Sequence, residues 1–206
     1  MTKRPQSAKE AWNLLLEGNR NFVSGSPAHP RQDAEIREAV ADQQKPFAAL
    51  FGCADSRLAA EMIFDVGLGD LFVVRNAGQV IAETILGSLE FAVEVLKVPL
   101  ILVLGHDECG AIRATMTAEA GDLQVEGEFI HKLVDRIMPT VKTAKELGET
   151  DIDEVTARHV ADTISEMLER SKVISDAVKS GKLAVVGANY KLALGEVHEL
   201  VKHGDI

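Results

Sequence analysis

Short runs of this chain are apolar at every position, and three of them stand out beside Leu71–Val74. Phe47-Ala-Ala-Leu-Phe51 and Leu100-Ile-Leu-Val-Leu104 each stop at a glycine, Gly52 and Gly105, and Leu183–Val186 is the third. A strand with no polar residue has both faces covered, which is a property of parallel strands in helix-flanked sheets. Leu71–Val74 reads as a fourth strand. Between the strands the period changes to that of helices. Ala59–Phe64 is a short one, and Glu83–Leu96 places Ile85, Leu86, Leu89, Val93 and Leu96 on one face. Another helix lies near Cys109–Ala120. Val125–Leu147 keeps helical period, with Pro139 predicted to kink or break it. Ile152–Lys179 reads as one long helix ended by Gly181. Tyr190–Leu200 fits either a further strand or a terminal helix. Strands alternating with helices predict an α/β fold, a mainly parallel β-sheet covered by helices on both faces.

Over 206 residues, one domain spanning 1–206 is the simplest organisation. Residues 1–32 form an N-terminal helical arm and linker. In that arm, Ser7 to Phe22 is amphipathic, with Ala11, Trp12, Leu15, Leu16 and Phe22 as its apolar set. A polar, proline-bearing link follows. Such a helix can pack on a neighbouring subunit or on its own domain, and the pattern favours neither. Asp33–Asp42 reads as a short polar helix. The net charge of −10 argues against nucleic acid or anionic membranes as partners. No apolar stretch approaches the ~18 residues of a membrane span, and the start has no apolar signal core. A cytoplasmic location is expected, where the cysteines stay reduced.

Chemistry concentrates just after two of the apolar runs. Cys53-Ala-Asp55-Ser-Arg57 follows the first, and His106-Asp-Glu-Cys109 follows the third strand in sequence order. These clusters hold the only two cysteines. Both fall at carboxyl ends of strands, where open α/β sheets place their sites. Two thiolates and an imidazole suit tetrahedral zinc, and three protein ligands leave a fourth position for water, whose pKa zinc lowers to about 7. Asp55 has two readings. It can be the fourth ligand and close the site, or it can pair with Arg57 and remain an ionised hydrogen-bond acceptor. A structural zinc site or a disulfide would also account for both cysteines.

CADSR at 53–57 and GHDECGA at 105–111 together resemble the β-class carbonic anhydrases, and the likeness extends over roughly residues 8–195, including Gly69–Ala77 and the Leu89–Val93 helix. That resemblance implies the β-carbonic anhydrase fold, with four parallel strands plus an edge strand. It implies Cys53, His106 and Cys109 as ligands of one zinc ion per subunit. Asp55 and Arg57 would be the catalytic dyad, with Asp55 able to move onto the metal in an inactive form. The reaction implied is reversible hydration of carbon dioxide to bicarbonate and a proton, by attack of zinc-bound hydroxide. Gln44, Phe72, Ala77, Phe91 and Gly110 match residues lining the substrate pocket, although Phe72 and Phe91 also fit ordinary core positions. Members of the family are homo-oligomers, dimers or tetramers, with sites at the dimer interface.

The chain departs from the family in two places. Asp107 stands where many members have Ser or Thr, and it either perturbs nearby ionisations or caps the next helix. Leu50 replaces a Trp that helps bind inhibitory bicarbonate in some members, while Arg75 and Tyr190 match other parts of that site. Hydrolysis of carbonyl sulfide or carbon disulfide, known for close relatives, and a non-catalytic zinc-binding role are the competing readings. The remaining histidines, His29, His131, His159, His198 and His203, are expected mostly at the surface, one of them a candidate proton shuttle.

Overall fold

A computed structural model describes residues 4–206. Helix α1 (Ala8–Val23) and α2 (Ala34–Ala39) precede strand β1 (Ala48–Cys53). Helix α3 (Ala60–Ile63), β2 (Leu71–Asn76), α4 (Glu83–Glu94) and β3 (Leu100–His106) follow. Three helices come next, α5 (Gly110–Glu119), α6 (Glu128–Glu146) and α7 (Ile152–Arg170). The chain ends with α8 (Lys172–Lys179), β4 (Ala184–Lys191) and β5 (Glu196–His203).

The sheet order is β2-β1-β3-β4-β5. The first four strands run parallel, and β5 pairs antiparallel with β4 at the edge. Tyr190–Leu200 therefore resolves as the end of one strand, a tight turn and most of another. Every residue of β1 and β3 is buried, as their unbroken apolar runs require. One face packs on α1, α5 and α6 through Trp12, Leu15, Ile112, Ile137 and Val141. The other packs on α4, α7 and α8 through Leu89, Ile164, Met167 and Ile174.

The N-terminal helix lies on its own domain. Trp12 Nε1 donates to Glu199 Oε2 on β5 at 2.8 Å. Buried Asn19 bridges two elements, donating to the carbonyls of Ile63 and Gly195 and accepting from Val197 N–H. The helix crosses so close to α3 that a β-carbon at Gly18 would sit 1.7 Å from the Phe64 carbonyl oxygen. Backbone on both sides cannot yield as a side chain can. Gly18→Ala is therefore expected to destabilise the protein by about 3 kcal/mol or more, the upper end of overpacking costs, in urea unfolding. An unchanged midpoint would mean that α1 is not clamped there.

The long helices differ from the periodic reading. The 152–179 pattern is two helices. Ser171 is extended (φ −104°, ψ 106°), its Oγ accepts from Ile174 N–H and donates to Glu90 Oε1 at 2.6 Å, and α8 starts anew from that cap. Helix α6 begins at Glu128, not Val125, and passes through Pro139 without a break. Proline costs it the bond to the Asp135 carbonyl, but buried Val134, Ile137, Val141 and Ala144 hold one stripe on both sides. No described helix is long and apolar enough to cross a membrane.

Candidate metal centre

The register of the sheet assembles the two clusters. β1 and β3 are neighbours, with Gly52 paired to Leu104, so Cys53 and His106 end adjacent strands on the same edge. Cys109 sits at the N-cap of α5. Their ligand atoms lie within 4.8 Å of one another, and all three residues are buried. His106 Nδ1 is 2.7 Å from the Asp107 carbonyl oxygen, which can only accept. The proton is therefore on Nδ1, and Nε2 keeps a lone pair. That buried Nε2 has no hydrogen-bond partner. Orienting a ligating imidazole by a carbonyl behind it is how proteins prepare a histidine for a metal.

The two sulfurs lie within 4.8 Å of each other. The neighbouring Cys109 thiol and backbone N–H groups lower the Cys53 thiol, while Cys53 and burial push the Cys109 thiol up. A divalent cation would keep both as thiolates. Buried soft donors and a bare imidazole nitrogen fit zinc.

Asp55 stands beside the trio and outside it. Arg57 donates from Nε to Oδ1 at 2.9 Å and from Nη2 to Oδ2 at 2.7 Å, and its backbone N–H adds a bond to Oδ1 at 2.9 Å. Of the two readings open to Asp55, this geometry has the Arg57 pair. Oδ2 still lies 4.0 Å from His106 Nε2. The Arg57 side-chain hydrogen bonds hold the Asp55 carboxyl well below the usual carboxylate range. Arg57 Nη2 also reaches the Glu108 carbonyl at 3.3 Å, tying one cluster to the other. Arg75 reinforces the loop, donating to the carbonyls of Cys53 and Asp55 at 2.8 and 2.6 Å.

The five pocket candidates are split. Gly110 follows Cys109 at the exposed start of α5, and nothing lies within 4 Å of where its β-carbon would be. Ala77 opens a 3₁₀ turn, Ala77–Gln79, next to Cys53. Gln44, in contrast, precedes β1 and lines an open cleft of about 860 Å³ with Phe47, Val95 and Lys97 at the other end of the sheet. Phe72 pairs with Ala49, four residues before Cys53, and so lies about 13 Å back along the strand. Its ring is 6.1 Å from that of Phe91, which is 42% exposed.

Other expectations shift. Asp107 neither caps α5 nor touches the trio with its carboxylate. Its Oδ1 accepts from Leu192 N–H at 2.8 Å and holds the turn after β4. Leu50 is a core residue of β1, 2% exposed. Tyr190 is buried too, and burial raises its hydroxyl above the usual phenol range. His159 is not at the surface but 5% exposed inside α7. Its Nε2 lies 2.8 Å from the Gly78 carbonyl, and Gly78 N–H points at Cys53 Sγ from 3.4 Å. Neither Gly78 nor His159 stands out in the sequence, because the contact runs through backbone atoms that every residue has.

The chain matches the family model described as carbonic anhydrase over residues 48–197. It is 48% identical over 197 residues to a carbonic anhydrase of Mycolicibacterium smegmatis, covering 95% of each chain. It is 50% identical over 182 residues to carbonic anhydrase 2 of Mycobacterium tuberculosis, covering 88% of this chain and 87% of that one. Among solved structures, a Coccomyxa β-carbonic anhydrase in complex with acetazolamide superposes with a TM-score of 0.71 at 28% identity, over 92% of this chain and 86% of that one. One of two tetrameric β-carbonic anhydrases of Sordaria macrospora shares the fold, with a TM-score of 0.72 at 24% identity over 94% and 98% of the two chains.

Proposed function

The chain belongs to the β-class carbonic anhydrases, and from that premise we propose that Cys53, His106 and Cys109 hold one zinc ion per subunit at a site that interconverts carbon dioxide and bicarbonate. The observation that carries the proposal is the buried trio with an unpartnered His106 Nε2, beside a carboxylate clasped by Arg57. Zinc there would supply the Lewis acidity that makes water a nucleophile near neutral pH.

The chain's own residues supply the rest. Asp55, kept ionised by Arg57, offers Oδ2 as an acceptor on the side facing His106. It takes a hydrogen bond from the reacting water and leaves that water's lone pair free to face the carbon. Arg57 cannot lose its proton at any working pH, so Asp55 stays an acceptor throughout. Arg75 fixes the backbone carrying both Cys53 and Asp55. Exposed Gly110 leaves space beside Cys109 for a small substrate. Gln44, Phe72 and Phe91 would complete an apolar pocket with one amide only if a second copy brought them to the trio. The working unit is therefore a homo-oligomer.

Removal of the metal with a chelator is expected to bring stopped-flow hydration of carbon dioxide down to the buffer rate. Added zinc should restore it at one ion per chain. Turnover that survives in metal-free protein would refute the zinc site. A zinc-loaded protein inert toward carbon dioxide but active on carbonyl sulfide would transfer the proposal to that substrate.

A further inference from the structure

The turn carrying Gly78 is shaped unusually for a place packed so tightly. Gly78 and Gln79 both have positive φ, 72° and 46°, and both are buried. Gly78 is closed in on its side-chain face, where a β-carbon would meet Ala111 Cβ and Ile137 Cδ1 at 2.8 Å. Two consecutive left-handed residues, one of them not glycine, persist only where the surroundings hold them. Asn76 clasps the turn end to end, donating to the Val80 carbonyl and accepting from Val80 N–H, and a second polar group reaches its middle from another element. His159 comes from α7, 81 residues away in sequence, and its Nε2 meets the Gly78 carbonyl. The opposite side of that same residue, the Gly78 N–H, points at Cys53 Sγ.

We infer that His159 is a positioning residue for the metal centre: its Nε2–H fixes Gly78 so that the Gly78 N–H donates to the Cys53 thiolate. The bond has one possible direction, because a carbonyl only accepts. It requires the Nε2–H tautomer, opposite to that of His106. His159 Nδ1 is then a bare acceptor, and it has no partner in its buried surroundings. Hydrogen bonds to a ligating sulfur spread its charge and tune its hold on the metal. Burial lowers the readiness of His159 to take a second proton, which keeps it a neutral donor. The inference rests on Cys53 being a zinc ligand.

Two variants and one measurement on the parent test it. His159→Leu removes the donor, and His159→Gln keeps an N–H of similar reach. Zinc-loaded His159→Leu is expected to yield its metal to a chelator about 10 to 100-fold more readily than the parent. In cobalt-substituted protein its thiolate-to-metal absorption band should shift. His159→Gln should stay close to the parent in both. A His159→Leu protein with parent-like zinc retention and spectrum would overturn the inference. Equal losses in the two variants would also overturn it, since they would reflect packing. Should His159→Leu fail to fold, the parent decides: imidazole nitrogen shifts in 15N-histidine-labelled holoenzyme must show His159 as the Nε2–H tautomer, and the other tautomer ends the proposal. A parent that binds no zinc would instead sink the metal site itself, a result separable from all of these.

Discussion

Asp55→Asn is expected to lower the turnover of carbon dioxide hydration by about 10²- to 10⁴-fold, the range for a positioned proton-transfer group, with one zinc ion per chain retained. The substitution keeps the shape of the side chain and removes its charge. Arg57 now reaches the residue with two donors on two oxygens. An amide presents one oxygen and one NH2 group, so one of those contacts becomes donor against donor. The acceptor facing His106 is lost or turned away, while the trio that would hold the metal is untouched. A loss of that size corresponds to about 3–5 kcal/mol of transition-state stabilisation. Metal content by elemental analysis and stopped-flow rates on the same samples give the answer. Rates within a few-fold of the parent would remove Asp55 from the mechanism. Zinc lost together with turnover would put the carboxylate among the ligands.

Much of this architecture was legible because apolar runs report burial directly. The glycine-ended apolar runs of β1 and β3 mark covered strands, and Cys53, His106 and Cys109 stand at or just past the ends of those runs. What stayed hidden has physical reasons. α7 and α8 lie on one face of the sheet, so they share an apolar period, and periodicity cannot register the interruption at Ser171. The signal there was local, a serine able to cap. Pro139 does not end its helix, since buried contacts on both sides of it outweigh one missing bond. At the site, side chains with rare chemistry were visible, whereas the Asp107 carbonyl behind His106 and the Gly78 amide before Cys53 were not. His159 looked like one more helical histidine because its role depends on a turn 81 residues away. The pocket residues came only from the family likeness.

Those pocket residues lead to the second large effect. If Gln44 serves a trio other than its own, two crippled chains should repair each other. Cys109→Ser chains lack a metal ligand but carry an intact Gln44. Gln44→Leu chains hold metal but lack the amide, and the apolar replacement leaves a polar substrate orientation unsupported. Within one subunit Gln44 lies at the amino end of β1 and the trio at its carboxyl end. No side chain spans that length. In a mixed two-fold dimer, one site combines intact Cys109 with the partner's intact Gln44, and the other has neither. Random pairing of equal amounts then makes half the dimers mixed, and about a quarter of the parent activity should return from two preparations that are each nearly inactive. Stopped-flow assays after joint dissociation and reassembly measure it directly. If Gln44 acted within its own chain, every metal-competent subunit in the mixture would still lack it, and mixing would recover nothing. The recovered fraction therefore reports whether the site is built from one copy of the chain or two.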